Sequence, residues 1–108
     1  MIRFRLPAIN LIWLLTLISN LQPAYAMGVS EAVCNSHKQV MYLVLTEYRE
    51  MGLPVNDSIS MFDSEENRDL RYWLRTYVKE GYKKPERGVE LISSGFFDKQ
   101  CLELHRGY

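Results

Sequence analysis

Four residues could do chemistry together. Cys34 and His37 are separated by two residues, Cys101 and His105 by three, so on helices each pair shares one face. Two thiolates and two imidazoles form a tetrahedral zinc set. The same cysteines are the only two in the chain, and in an oxidising compartment an even count reads as a disulfide. A disulfide would consume both thiolates that a metal needs, so the compartment decides between the two readings.

A second constellation lies at 68–83. At 100° per residue, Arg68, Arg71, Arg75, Lys79 and Lys83 form one stripe opposite Trp73 and Tyr77, and Tyr72 and Tyr82 fall within it. Asp69 and Glu80 sit to one side, and Lys84 and Arg87 extend the positive end into the next turn. Arginine forks between tyrosine rings suit a surface that meets carboxylates or phosphates. The alternative is an ordinary solvated helix face. Catalytic signals are weak. Ser93-Ser94-Gly95 lacks the strand and the spaced base and acid of a nucleophile elbow. Glu65-Glu66 reads as a pair of first-turn acids favoured by the helix dipole, and neither histidine has a serine or carboxylate at a suggestive spacing. The expectation is a binding protein without cofactor rather than an enzyme.

The start of the chain speaks to the compartment. Arg3 and Arg5 precede an apolar run over 8–21, interrupted by Asn10, Thr16, Ser19 and Asn20. Ala24 and Ala26 then supply the small residues that a signal peptidase reads. This predicts a signal peptide over 1–26, cleaved after Ala26, with a retained membrane anchor as the alternative. The run falls short of the roughly 20 apolar residues of a membrane span, so no stable insertion is expected after cleavage. The 82 residues 27–108 then form a single domain, periplasmic or secreted. The leader holds two of the 13 basic residues and none of the 13 acidic ones, so the remainder carries a net charge of −2. A slightly acidic exported chain argues against nucleic acid and for a protein or an anionic envelope polymer as partner. A monomer or a homodimer fits equally. Export also favours the disulfide over zinc. A staple between the two ends would offset the small core that so short a chain can bury.

The elements that must position these residues are helices. Ser30 is expected to cap a first helix over 31–51, with Val33, Cys34, His37, Val40, Met41, Val44, Leu45, Tyr48 and Met51 at three- and four-residue spacing. Gly52 and Pro54 end it. The stretch "NDSISMF" is a loop or one short helical turn capped by Asn56 or Asp57, its Ile59, Met61 and Phe62 folded over the core. Asp63 with Glu66 reads as a capping box for the next helix. There Leu70, Trp73, Leu74, Tyr77, Val78 and Gly81 trace the clearest apolar stripe in the chain, and Pro85 ends it near Lys84. Pro85 opens a last helix with Val89, Ile92, Phe96, Phe97, Cys101 and Leu104 inward, kinked or broken at Gly95. No segment alternates as a strand would. The expected fold is all-α, a small antiparallel bundle of three main helices plus a short helical turn, stapled from Cys34 to Cys101.

This layout resembles a known class. An exported leader, a cysteine opening the first helix, "YREMGLP" closing it, "YKKPE" between the last helices and a final cysteine are similar to small two-cysteine helical proteins of proteobacteria and their phages. The segment "SSGFFDKQC" resembles periplasmic immunity proteins of type VI secretion, which implies neutralisation of a toxin by binding. "WLRTYVKEGYKKPERGVELISS" is similar to periplasmic phage antiholins, which implies a regulator of lysis. An envelope stress or structural factor is the remaining reading.

Overall fold

The computed structural model describes residues 28–106, so the signal peptide expected over 1–26 lies outside the described residues. Five helices stand among them, with no strand: α1 (Val29–Leu43), α2 (Val55–Ser60), α3 (Arg68–Lys83), α4 (Pro85–Ser93) and α5 (Phe96–Arg106). A π-helical turn, Val44–Tyr48, continues α1, and helical backbone runs on to Glu50. Gly52, at a φ of 88° that only glycine adopts cheaply, then stops it. Gly95, at 89°, breaks the last helix into α4 and α5.

The bundle is all-α and closed by the Cys34–Cys101 disulfide, with both cysteines fully buried. Contacts along α1 and α5 set their direction. Ser30 meets His105, Cys34 meets Cys101 and Lys38 meets Asp98, so the two helices run antiparallel. α5 is antiparallel to α3 as well, since Asn67 reaches Leu104 while Tyr77 meets Phe97 edge to face. α1 and α3 therefore point the same way, and α2 with residues 61–67 carries the chain back between them. The core is Met41, Val44, Leu45, Phe62, Leu70, Leu74, Val78 and Phe97 around the disulfide. Burying each large aliphatic or aromatic side chain of this set contributes about 1.5–3 kcal/mol.

Several local expectations give way to tertiary context. α1 begins at Val29 with Gly28 as its cap, because the Ser30 hydroxyl is engaged by His105 instead. α2 starts after Pro54, whose carbonyl accepts from the Asp57 and Ser58 amides; neither Asn56 nor Asp57 caps it. α3 is capped by Asn67, not by Asp63 and Glu66. The Asn67 side-chain oxygen accepts from the Leu70 amide at 3.0 Å, and its amide nitrogen donates to the Leu104 carbonyl at 3.1 Å. Asn67 is buried and doubly satisfied, a role that the exposed Asp63 could not fill. Met51 is 76% exposed and Met61 and Phe96 41% exposed, outside the core assigned to them from spacing. Each sits where a helix ends or begins, so the period of the helix no longer sets its direction.

The π turn explains a close approach. A Cβ on Gly81 would come 2.5 Å from a Leu45 methyl, and one on Gly88 would come 2.6 Å from the other. Leu45, in the π turn, thus occupies the space that side chains on α3 and α4 would need.

Candidate functional site

The apolar stripe of α3 faces the core, so the opposite face is offered to solvent. Leu70, Leu74, Tyr77, Val78 and Gly81 are buried. Trp73, Tyr77 and Phe97 form an aromatic cluster with ring centroids 5.0–5.4 Å apart. The Tyr77 hydroxyl donates to the Gly88 carbonyl, and burial pushes its pKa up to about 12, slightly opposed by the Arg87 charge. The helix is thereby fixed in rotation.

On the outer face Arg68, Tyr72, Arg75, Lys79 and Lys83 are all exposed, Tyr72 at 73%. They span about 22 Å at 1.5 Å per residue. Arg68, Arg75 and Lys79 form no ion pair among the described residues. Lys83 lies 3.6 Å from Glu80, both well exposed, an arrangement that contributes little to stability. Thr76 donates its hydroxyl back to the Tyr72 carbonyl and adds no charge.

Two residues assigned to this stripe point elsewhere. Arg71 donates to the Glu65 carbonyl at 2.6 Å, and the Tyr82 hydroxyl donates to the Leu53 carbonyl at 2.8 Å and shares a hydrogen bond with Ser58. On the helical projection both lie to the same side of Arg68, by about 60° and 40°. That is the edge covered by residues 53–65, α2 among them. Their polar groups are spent on holding this returning segment against α3.

A groove of about 430 Å³ opens at the other end of the bundle, with His37, Glu65, Asn67 and His105 among its lining residues beside Val29 and Val33. His37 donates from Nε2 to Glu65 Oε1 at 2.6 Å, with its ring beside Phe62. Burial pulls the Glu65 carboxyl up, but the hydrogen bonds from His37 and the Asn67 amide outweigh it and hold it below the ordinary carboxylate range. His105 Nδ1 shares a 2.7 Å hydrogen bond with Ser30 Oγ. Glu65 is therefore the partner of a histidine 28 residues away and not a first-turn acid of α3. No spacing in the sequence signals either histidine contact. Chemically the groove holds two halves of a triad on different histidines. His37 has an orienting carboxylate and His105 has a hydroxyl, and neither has both among the described residues.

The zinc alternative loses its thiolates to the disulfide, and His37 and His105 direct nitrogens to Glu65 and Ser30. Among the described residues no three His, Cys, Asp or Glu side chains stand where a metal ion could be held. Among them also no helix is long and apolar enough to cross a membrane.

No protein-family model, curated protein or solved structure matches the chain.

Proposed function

We propose that the protein is an exported binding protein of the periplasm or extracellular space, and that the outer face of α3 is its contact surface for an acidic macromolecule. One observation carries the reading. Tyr72, 73% exposed, stands between Arg68, Arg75 and Lys79, none of which has an ion-pair partner among the described residues. Tyrosine and arginine are among the residue types enriched where binding energy concentrates at protein interfaces. The staple from α1 to α5 supports residence in an oxidising compartment. Binding of an acidic protein, in the manner of an immunity or inhibitor protein, fits a surface of this length better than a small-molecule site does.

The test is charge reversal. Arg75→Glu/Lys79→Glu leaves every intramolecular hydrogen bond described above in place, whereas Arg71→Glu would strip the Glu65 carbonyl of its donor. Exposed substitutions of this kind shift stability by about 0.5 kcal/mol each. Envelope extract passed over the immobilised protein should yield a protein that the double variant, with an unchanged melt, does not retain. Equal retention by both makes the face a solvated surface. Recovery of an anionic polymer in place of a protein transfers the surface to envelope-polymer binding.

A further inference from the structure

The elbow where α3 turns into α4 lies on the far side of α3 from its outer face, with exposed Glu80 between the two. The helices come together there at two glycines, close enough that a Cβ at Gly88 would stand 3.5 Å from the Gly81 Cα. Beside them opens a cavity of about 150 Å³, walled by Tyr77, Gly81, Gly88 and Leu91. An apolar cavity of roughly this volume takes one benzene ring. The Tyr77 hydroxyl is already satisfied by the Gly88 carbonyl, so the walls ask an occupant for no hydrogen bond there. They select by shape and apolar area.

The rim of the same cavity supplies a polar end. Glu80, Lys84 and Arg87 border the opening, two cations and one anion. Glu80 is drawn to Lys83 at 3.6 Å and Arg87 to Glu90 at 3.4 Å, and neither partner lines the cavity. Lys84 has no ion-pair partner among the described residues, so it sets the sign of the rim. Its backbone amide donates to the Glu80 carbonyl, which fixes the root of the side chain at the elbow.

We infer that this cavity binds a small monocarboxylate whose apolar body is about one ring in size. The ring lies among Tyr77, Gly81, Gly88 and Leu91, and the carboxylate meets the Lys84 ammonium. The volume excludes a second ring, and the unpaired cation disfavours an amine. Because the rim is exposed, the carboxylate stays partly hydrated and its charge adds only a modest share of the affinity. The site is separate from the macromolecular surface proposed above and does not depend on it.

3-Phenylpropionate is the probe, with 3-phenylpropan-1-ol, 3-phenylpropylamine and propionate as controls. Each is titrated into the ¹⁵N-labelled, disulfide-bonded protein and followed by amide shifts. The acid should saturate with a Kd of about 1–5 mM and move Gly81, Lys84, Gly88 and Leu91. The alcohol should bind about two- to fivefold more weakly, since that is what an exposed ion pair adds. The amine should bind more weakly still, and propionate, which lacks the ring, should not saturate. Lys84→Gln, whose side chain has no ion pair to lose, should bring the acid down to the affinity of the alcohol. Salt at about 0.5 M should narrow the same gap. Equal affinities for acid and alcohol, or tightest binding of the amine, overturn the carboxylate as ligand. No saturable shift at Gly81, Gly88 and Leu91 up to about 20 mM overturns the cavity as a binding site.

Discussion

Reducing the Cys34–Cys101 bond should cost this protein a large part of its stability, and the size follows from where the bond lies. It joins residues 67 apart, so it removes loop entropy from almost the whole described chain when unfolded. In the chain model a loop of that length is worth about 15 cal/mol/K, or about 4 kcal/mol at 25 °C. The folded state should register little of this. Both cysteines are fully buried among apolar neighbours, where reduced thiols behave as small hydrophobes. The same helices are also joined by Ser30–His105, Lys38–Asp98 and Glu31–Arg106, which hold α1 on α5 once the chain is folded but do not constrain the unfolded ensemble. A domain of this size has about 5–10 kcal/mol in total, so the melting temperature should fall by roughly 15–30 °C. Urea unfolding of the oxidised protein, of the protein held reduced throughout, and of Cys34→Ala/Cys101→Ala separates the contributions. The reduced form should show a lower midpoint and a steeper slope, because its unfolded state exposes more surface. The alanine variant should fall further by the packing its sulfurs supplied. A reduced protein within about 1 kcal/mol of the oxidised one would refute the reasoning, since helix packing alone would then hold the ends together.

Two further expectations concern the groove end. Glu65 is held below its ordinary pKa of 4.5, so its contribution is complete above that value and is lost as pH falls through the lower, folded one. The stability gap between the native protein and Glu65→Gln should therefore be full above pH 4.5 and shrink towards pH 3. Urea midpoints across that range check it, and a constant gap would remove the carboxylate charge from the account. Asn67→Ala should cost about 1–3 kcal/mol, because it removes the cap of α3 and leaves the Leu104 carbonyl without its donor. Asn67→Asp should recover only part of that loss, since it keeps the cap acceptor and not the donor, and thermal melts of the pair distinguish the two roles.

Much of the architecture was legible from local rules because helices are local objects. Gly52 and Pro54 closed the first helix, Pro85 ended α3 and opened α4, and Gly95 broke the last helix, each through a backbone restriction that acts within a few residues. The 3.6-residue period found Leu70, Leu74, Tyr77 and Val78 as the buried side of α3, and the two cysteines at opposite ends found each other. What the tertiary structure alone decided lies at the edges of helices and in the segment between them. A helical projection gives Arg71 and Tyr82 their angles but does not say that residues 53–65 cover that edge and take up their polar groups. Asn67 outcompetes Asp63 as a cap because its second hydrogen bond goes to a carbonyl 37 residues away. His37 and Glu65 meet, as do His105 and Ser30, through the antiparallel set of α5 and the return of the chain through α2. Gly81 is buried against a π turn that no spacing in α1 announces. In each case the deciding partner is distant in sequence, and its position is set by packing, which local propensity does not encode.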